Sequence, residues 1–351
     1  MKKVTPPHTY LIFDENAQYY ECGFSCDNAL ILRVGEECYF ITDSRYTLEA
    51  KQHSYASEVI ESTDFIQSTQ AILQKLRVKN IIFNPRELNL AFYDRLKLAL
   101  DKIDCALEPR DNFHQLLRIK KTPKEIALVA KSQKLNKKAF KHFAKYIGKM
   151  FKKSPSEKQL HYQAMQFLSC FGEYDLSFEP IVGINANGAK PHALPSPKCF
   201  LTKNDILLFD AGIKYKRYCS DMTRTAAIRD EVHFSKKQYF KDKFMQKIYD
   251  IVLKAQEETI AKVRSGMSGK EIDSIARDVI EKSGYGAYFI HSTGHGVGLD
   301  IHELPRISRL SDDIIEDDMI FSIEPGIYLP NEFGVRIEDL VVMKNGRPEV
   351  L

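Results

Sequence analysis

The chain has 351 residues, 44% of them hydrophobic and 28% charged, with a formal net charge of +4 at pH 7. That length exceeds one small core and suits two domains of unequal size, and so small a charge does not itself point to a nucleic-acid partner. No apolar run approaches the ~20 residues of a membrane span, and the opening stretch after Lys2 and Lys3 lacks the apolar segment and cleavage site of a secretory signal.

Seven cysteines (22, 26, 38, 105, 170, 199 and 219), odd in number and without CxxC spacing, point to free thiols in the cytoplasm. Residues 1–118 alternate strands and helices, the pattern of a small α/β domain. Residues 29–34 and 38–42 read as a hairpin around Gly35-Glu36-Glu37, with further strands at 57–61 and 80–84. Helical patterns cover 64–77 and 89–102. The second domain is expected over 119–351. Thr122 is a good N-cap, Pro123 suits the first helical position, and Glu125 completes a capping box, so a long helix starts at 123. Lysines 131, 134, 138, 141, 145, 149 and 152 share one face of it, opposite Leu128, Leu135, Phe143 and Ile147. That face reads as solvated, or as a docking surface for an acidic partner.

A faint internal repeat follows. Ser154-Pro155-Ser156-Glu157 caps a helix leading toward His192 and then the aspartate hairpin, and Ser265–Glu271 opens another helix leading to His291–His302 and a second hairpin. Each half is then helices followed by an antiparallel sheet, and two facing halves would share one cleft. In the first pair of strands, Asp210 and Asp221 are symmetric about the point between Tyr215 and Lys216. If Lys214–Arg217 makes the turn, the two carboxylates oppose each other with Cβ atoms ~5 Å apart. At that separation they repel by about 3 kcal/mol at an effective dielectric of ~20. A proton or a cation has to sit between or beside them.

Three more clusters lie downstream. His291, His295 and His302 are interleaved with Gly294, Gly296 and Gly298, a pattern hostile to helix and suited to close backbone approach. Glu324 and Glu338 are symmetric about Asn331, and each follows an isoleucine in an apolar stretch, so both read as facing inward from paired strands. Buried carboxylates need protons, partners or metals. Singly, each cluster has a plainer reading: a structural histidine, a turn aspartate, or Glu338 paired with Arg336 or Arg224.

In this order and context, the strings FDAG, YCSDMTRT, STGHGVGLDIHE, SIEPGIY and VRIEDLVV resemble the pita-bread dinuclear metallopeptidases, in particular the Xaa-Pro peptidases (aminopeptidase P and prolidase). FITDSRYTLEA and KKTPKEI resemble the N-terminal domain and junction of that branch. The resemblance covers essentially the whole chain. It implies an α+β protein: a creatinase/prolidase-type α/β domain, then a pseudo-two-fold pita-bread catalytic domain. It further implies cytoplasmic hydrolysis of the Xaa-Pro bond by a metal-bridging hydroxide, in a homodimer acting on Xaa-Pro peptides rather than on nucleic acid or membrane.

The implied ligands of two divalent ions are Asp210, Asp221, His295, Glu324 and Glu338, with Asp221 and Glu338 as bridges. Four carboxylates and one imidazole suit Mn²⁺ first, with Co²⁺ or Zn²⁺ as substitutes. Glu324 also matches the general base, His192 the histidine that assists the tetrahedral intermediate and leaving nitrogen, and His302 one beside the scissile bond. His291 matches a residue of the proline pocket, with Phe178 and Tyr328 as further candidates for its lining. Arg306, eleven residues past His295, could grip a dipeptide carboxylate and so favour dipeptidase over aminopeptidase activity. Arg336 is its rival; either arginine could instead pair with a protein carboxylate such as Asp300 or Asp339. A non-catalytic peptide- or protein-binding member of the same fold is the alternative, and the intact ligand set speaks against it.

Overall fold

A computed structural model describes residues 9–351, so Lys2 and Lys3 at the start of the expected first domain lie outside the described residues. The chain divides into two compact units, 1–118 and 119–351. No helix among the described residues is long and apolar enough to cross a membrane.

The first unit is a six-stranded mixed sheet in the order Glu58–Glu61, Glu37–Thr42, Ala29–Val34, Thr9–Ile12, Asn80–Phe83, Ala106–Pro109. The expected hairpin is present, turning at Gly35 with φ 58°. Helices Phe65–Lys75 and Leu90–Asp101 start where Asp64 and Asn89 accept backbone N–H groups. One apolar cluster lies under each sheet face, around Phe40 and Leu11 respectively.

Glu87 ties this unit together. Its carboxylate accepts from Phe13 N at 2.9 Å, Asp14 N at 3.2 Å and Asn84 Nδ2 at 2.7 Å, and lies 2.6 Å from His114 Nε2. Burial works to raise its pKa, but the His114 hydrogen bond and charge outweigh burial and hold it below the usual 4.5. A carboxylate depressed on folding adds stability that is complete above its unfolded value and fades as pH falls through the folded one. Glu87→Gln should therefore cost about 2 kcal/mol near neutral pH. The gap in urea midpoint between wild type and variant should close in acid; a gap independent of pH would refute this role.

The second unit is built twice. Helices Pro123–Met150 and Glu157–Leu168 precede a three-stranded antiparallel sheet in the order Met222–Ala227, Ile206–Ala211, Ile181–Ile184. Helices Lys243–Lys262 and Gly269–Lys282 precede a second sheet in which Asp339–Lys344, Ile320–Ile323 and Gly294–Gly296 run in the same order, flanked by two further strands. Thr122, Ser156 and Ser268 all close capping boxes, with Glu125, Gln159 and Glu271. The inner strands of the two halves meet: Thr225 Oγ1 donates to Arg336 O at 3.0 Å and Glu338 N to Thr223 O at 3.1 Å. Separate apolar clusters, around Phe209, Val335 and Phe321, back the sheets.

All seven lysines of the expected solvated helix face are exposed, while Phe143 and Ile147 are buried and Leu128 and Leu135 half-buried. The buried side of that helix is not wholly apolar. Ser132 Oγ donates to Ile213 O at 2.8 Å, Asn136 Nδ2 to Ala211 O at 2.7 Å and Gln133 Nε2 to Asp221 O at 2.9 Å, while Gln133 Oε1 accepts from Asp221 N at 3.2 Å. These side chains hold the irregular backbone between Asp210 and Asp221, where the ladder is broken.

The register of the two aspartates differs from the symmetric expectation. Asp210 pairs with Thr223, and Tyr215 with Tyr218, so the turn is the two residues Lys216 and Arg217, at φ 48° and 70°. A tight turn with both central residues left-handed matches strand twist better than a four-residue loop. The centre of symmetry moves by one residue, which leaves Asp221 diagonal to Asp210 rather than opposite it. Two positions along a strand restore the same face, so both carboxylates still point to one side. In the second half the symmetry about Asn331 holds, with Gly326 paired to Arg336 and Ile323 to Asp339. Glu324 and Glu338 fall in the break between those two ladders.

Candidate metal centre

Asp210, Asp221 and Glu338 are almost wholly buried, at 7%, 4% and 1% exposure. Each keeps one carboxylate oxygen with no hydrogen-bond partner among the described residues: Asp210 Oδ1, Asp221 Oδ1 and Glu338 Oε1. Ligand atoms of Asp221, His295 and Glu338 all lie within 4.8 Å of one another. His295 Nδ1 donates to Gly296 O at 3.1 Å, which turns Nε2 toward Glu324 Oε1 at 3.2 Å and Asp221 Oδ2 at 3.7 Å. Glycine makes this closeness possible, since a Cβ on Gly294 would stand 1.9 Å from Ser322 O.

On the protein's own charges such a cluster is costly. Burial, then the neighbouring carboxylates, push Asp221 and Glu338 well above the ordinary carboxylate range. Burial also raises Asp210, against the pull of Arg336. Glu324 goes the other way: burial opposes it, but the His295 hydrogen bond and charge hold it at about 2. Buried oxygen acceptors without donors, in a hard set of four carboxylates and one imidazole, fit divalent cations better than they fit each other.

Small hydroxyls brace the acids. Thr223 Oγ1 donates to Glu338 Oε2 at 2.7 Å, and Ser322 Oγ donates to Glu324 Oε1 at 3.0 Å while accepting from His295 N at 3.1 Å. Thr223 lies two residues after Asp221 and Ser322 two before Glu324, so period-two spacing was the available signal for both. Gln133 and Asn136, polar positions on an apolar helix face, were likewise legible only as a pattern. Lys121, 2.6 Å from Glu303 Oε1 with both side chains buried, had no local signal.

Arg336 is enclosed by the site. It sits 2.6 Å from Asp210 Oδ2, and donates to Tyr328 OH at 2.7 Å, Thr223 Oγ1 at 3.1 Å and Pro191 O at 3.3 Å. Its carboxylate partner is thus Asp210, while Asp339 is taken by Arg224 and Lys236, each at 2.6 Å. Tyr328 OH accepts from Arg336 and donates to His291 Nε2 at 2.8 Å; His291 Nδ1 donates to Ser292 O, also at 2.8 Å. Burial lowers the pKa of His291 and of His302, so both rings are neutral near pH 7.

A cavity of about 420 Å³ opens over these groups. It brings together the four acids and one imidazole of the expected ligand set with His192, His291, His302, Arg336 and Phe178. Tyr328 lies behind His291 rather than on the wall. Arg306 is not among the lining residues: it pairs in register with His295, its N–H bonds Asp313, and its side chain is exposed.

Residues 127–345 match metallopeptidase family M24, and residues 8–119 match the creatinase/prolidase N-terminal domain. An uncharacterized peptidase of Bacillus subtilis is 34% identical over 93% of this chain and 88% of its own length. An Xaa-Pro dipeptidase of Pyrococcus horikoshii is 36% identical over the same shares, 93% and 88%. Among solved structures, an Xaa-Pro dipeptidase from Bacillus anthracis superposes with a TM-score of 0.87 at 32% identity, covering 98% of this chain and 92% of that one. An X-Pro aminopeptidase from Thermotoga maritima superposes at 0.84 and 31%, covering 97% and 94%.

Proposed function

This chain belongs to metallopeptidase family M24, and on that premise we propose that it is an Xaa-Pro peptidase whose cage of Asp210, Asp221, His295, Glu324 and Glu338 holds two divalent ions, Mn²⁺ foremost. The observation that carries the reading is the set of partnerless buried oxygens on Asp210, Asp221 and Glu338 beneath an open cavity. Divalent ions held by these five residues would supply an activated water as nucleophile and polarise the scissile carbonyl. The names of relatives support proline as the residue after that bond.

Glu324, ionised at neutral pH, takes the proton of the attacking water. The neutral ring of His302, and His192 on the same cavity, hydrogen-bond the carbonyl oxygen and the departing nitrogen. A proline nitrogen has no N–H and leaves only when protonated, so a donor at that point is required. His291, held by Tyr328, provides a rigid slot for the ring in the cavity that Phe178 also lines. Arg336 positions Asp210 and Tyr328 rather than touching substrate.

With Arg306 turned to solvent and Arg336 engaged, the cavity wall offers no unengaged guanidinium among the described residues. That favours a substrate continuing past proline over a dipeptide needing a carboxylate anchor. Purified protein with Mn²⁺ should cleave Ala-Pro-Ala faster than Ala-Pro, and a chelator should abolish both rates. No cleavage of either with Mn²⁺, Co²⁺ or Zn²⁺ would sink the reading; faster cleavage of the dipeptide would reverse the preference.

A further inference from the structure

Besides the cage, the cavity wall carries one more carboxylate, Glu179. Its side chain is exposed and makes no hydrogen bond or ion pair among the described residues. Its backbone is well fixed. Ser177 is buried and donates to Ile213 O at 2.8 Å, and Pro180 O accepts from His161 Nδ1 at 2.9 Å. Ile181 then enters the sheet directly opposite Asp210.

That pairing locates Glu179. Glu179 lies two residues before that strand, in the irregular stretch 177–180 that joins it to Asp175–Leu176, and lines the same cavity as Ile181 and Asp210. The same wall carries apolar Phe178, Pro180 and Leu194, along with His161, whose ring is engaged with Pro180 O.

The order of strands sets which part of a substrate reaches it. The sheets meet at the cage through Met222–Ala227 and the start of Asp339–Lys344, so Ile181–Ile184 and Gly294–Gly296, each third in order from that meeting pair, lie on opposite sides. His291 leads into the second of these, on the side given above to proline. The residue before the scissile bond then lies on the side of Ile181 and Glu179. A carboxylate beyond an apolar stretch fits a side chain with an aliphatic stem and a cationic head.

We propose that Glu179 selects substrates whose first residue is lysine or arginine. This rests on the Xaa-Pro reading. In the loaded enzyme the cage carboxylates would be matched by divalent ions and by Arg336, which leaves Glu179 as the unmatched carboxylate on the cavity wall.

The test compares kcat/KM of the Mn²⁺-loaded enzyme on Lys-Pro-Ala, Leu-Pro-Ala and Glu-Pro-Ala, for wild type, Glu179→Gln and Glu179→Lys. Wild type should favour lysine over leucine by about fivefold at low salt and less as ionic strength rises. Glu179→Gln should remove the lysine-over-leucine ratio, and Glu179→Lys should turn it toward glutamate. Because ratios are read within one protein, a partial loss of folded enzyme does not mimic the result. Cleavage of Leu-Pro-Ala with no lysine preference, or with a preference untouched by either variant, overturns the role of Glu179 and leaves the Xaa-Pro reading standing. No cleavage of any of the three overturns both.

Discussion

Asp221→Asn should lose Xaa-Pro cleavage by about 10³-fold or more, the scale expected when a group acting only with its partners is removed. The asparagine keeps the shape and the two backbone hydrogen bonds to Gln133, so folding is retained. What goes is one negative charge and one oxygen of a cluster whose ligand atoms lie within 4.8 Å. The same change should make the metal-free protein more stable. Burial and the charges of Glu338, Asp210 and Glu324 all press Asp221 toward its protonated form, so removing its charge relieves repulsion. A gain of about 1–3 kcal/mol in the presence of chelator is expected. In turn, the thermal shift on adding Mn²⁺ should shrink, since a ligand stabilises only in proportion to its affinity for the folded state. Near wild-type activity, or an undiminished Mn²⁺ shift, would exclude Asp221 as a ligand. A dead variant that is also less stable in chelator would instead mark a folding defect.

Arg336→Met should cost the metal-free protein about 3–5 kcal/mol, the scale for stranding one partner of a buried ion pair. The guanidinium is 4% exposed and serves Asp210, Tyr328, Thr223 and Pro191 at once. Methionine fills much of the volume but gives Asp210 Oδ2 and Tyr328 no donor. With Tyr328 released, the His291 ring loses its fixed setting, so KM for proline substrates should rise even in protein saturated with Mn²⁺. Arg336→Lys should fall between the two, because one ammonium cannot span Asp210 and Tyr328 as the planar fork does. Urea denaturation in chelator and KM measured in excess Mn²⁺ separate these effects. Unchanged stability in both variants would show that the ion pair with Asp210 is incidental.

Local rules carried much of the fold. Thr122, Ser156 and Ser268 cap their helices because each hydroxyl meets a backbone N–H three residues on, and that interaction needs nothing distant. The lysine face of the long helix follows from helical geometry alone. The symmetry about Asn331 held because that residue, at φ 64°, centres a regular hairpin. The same reasoning misjudged Lys214–Arg217, where a choice between turn lengths moves the register by one residue. Nothing in that stretch decides it; strand twist and the Gln133 and Asn136 clamp from a helix some 80 residues earlier do.

By itself, then, the sequence determined the two-domain order, the helix starts, the duplicated plan and the kinds of side chain available for a metal cage, because each depends on spacing or on residue chemistry. The tertiary structure alone decided how those side chains are used. It gave Arg336 to Asp210, turned Arg306 to solvent, buried Lys121 with Glu303, and left Glu179 without a partner on the cavity wall. Charges choose partners by distance and burial, and both quantities arise only when strands more than a hundred residues apart are packed against each other.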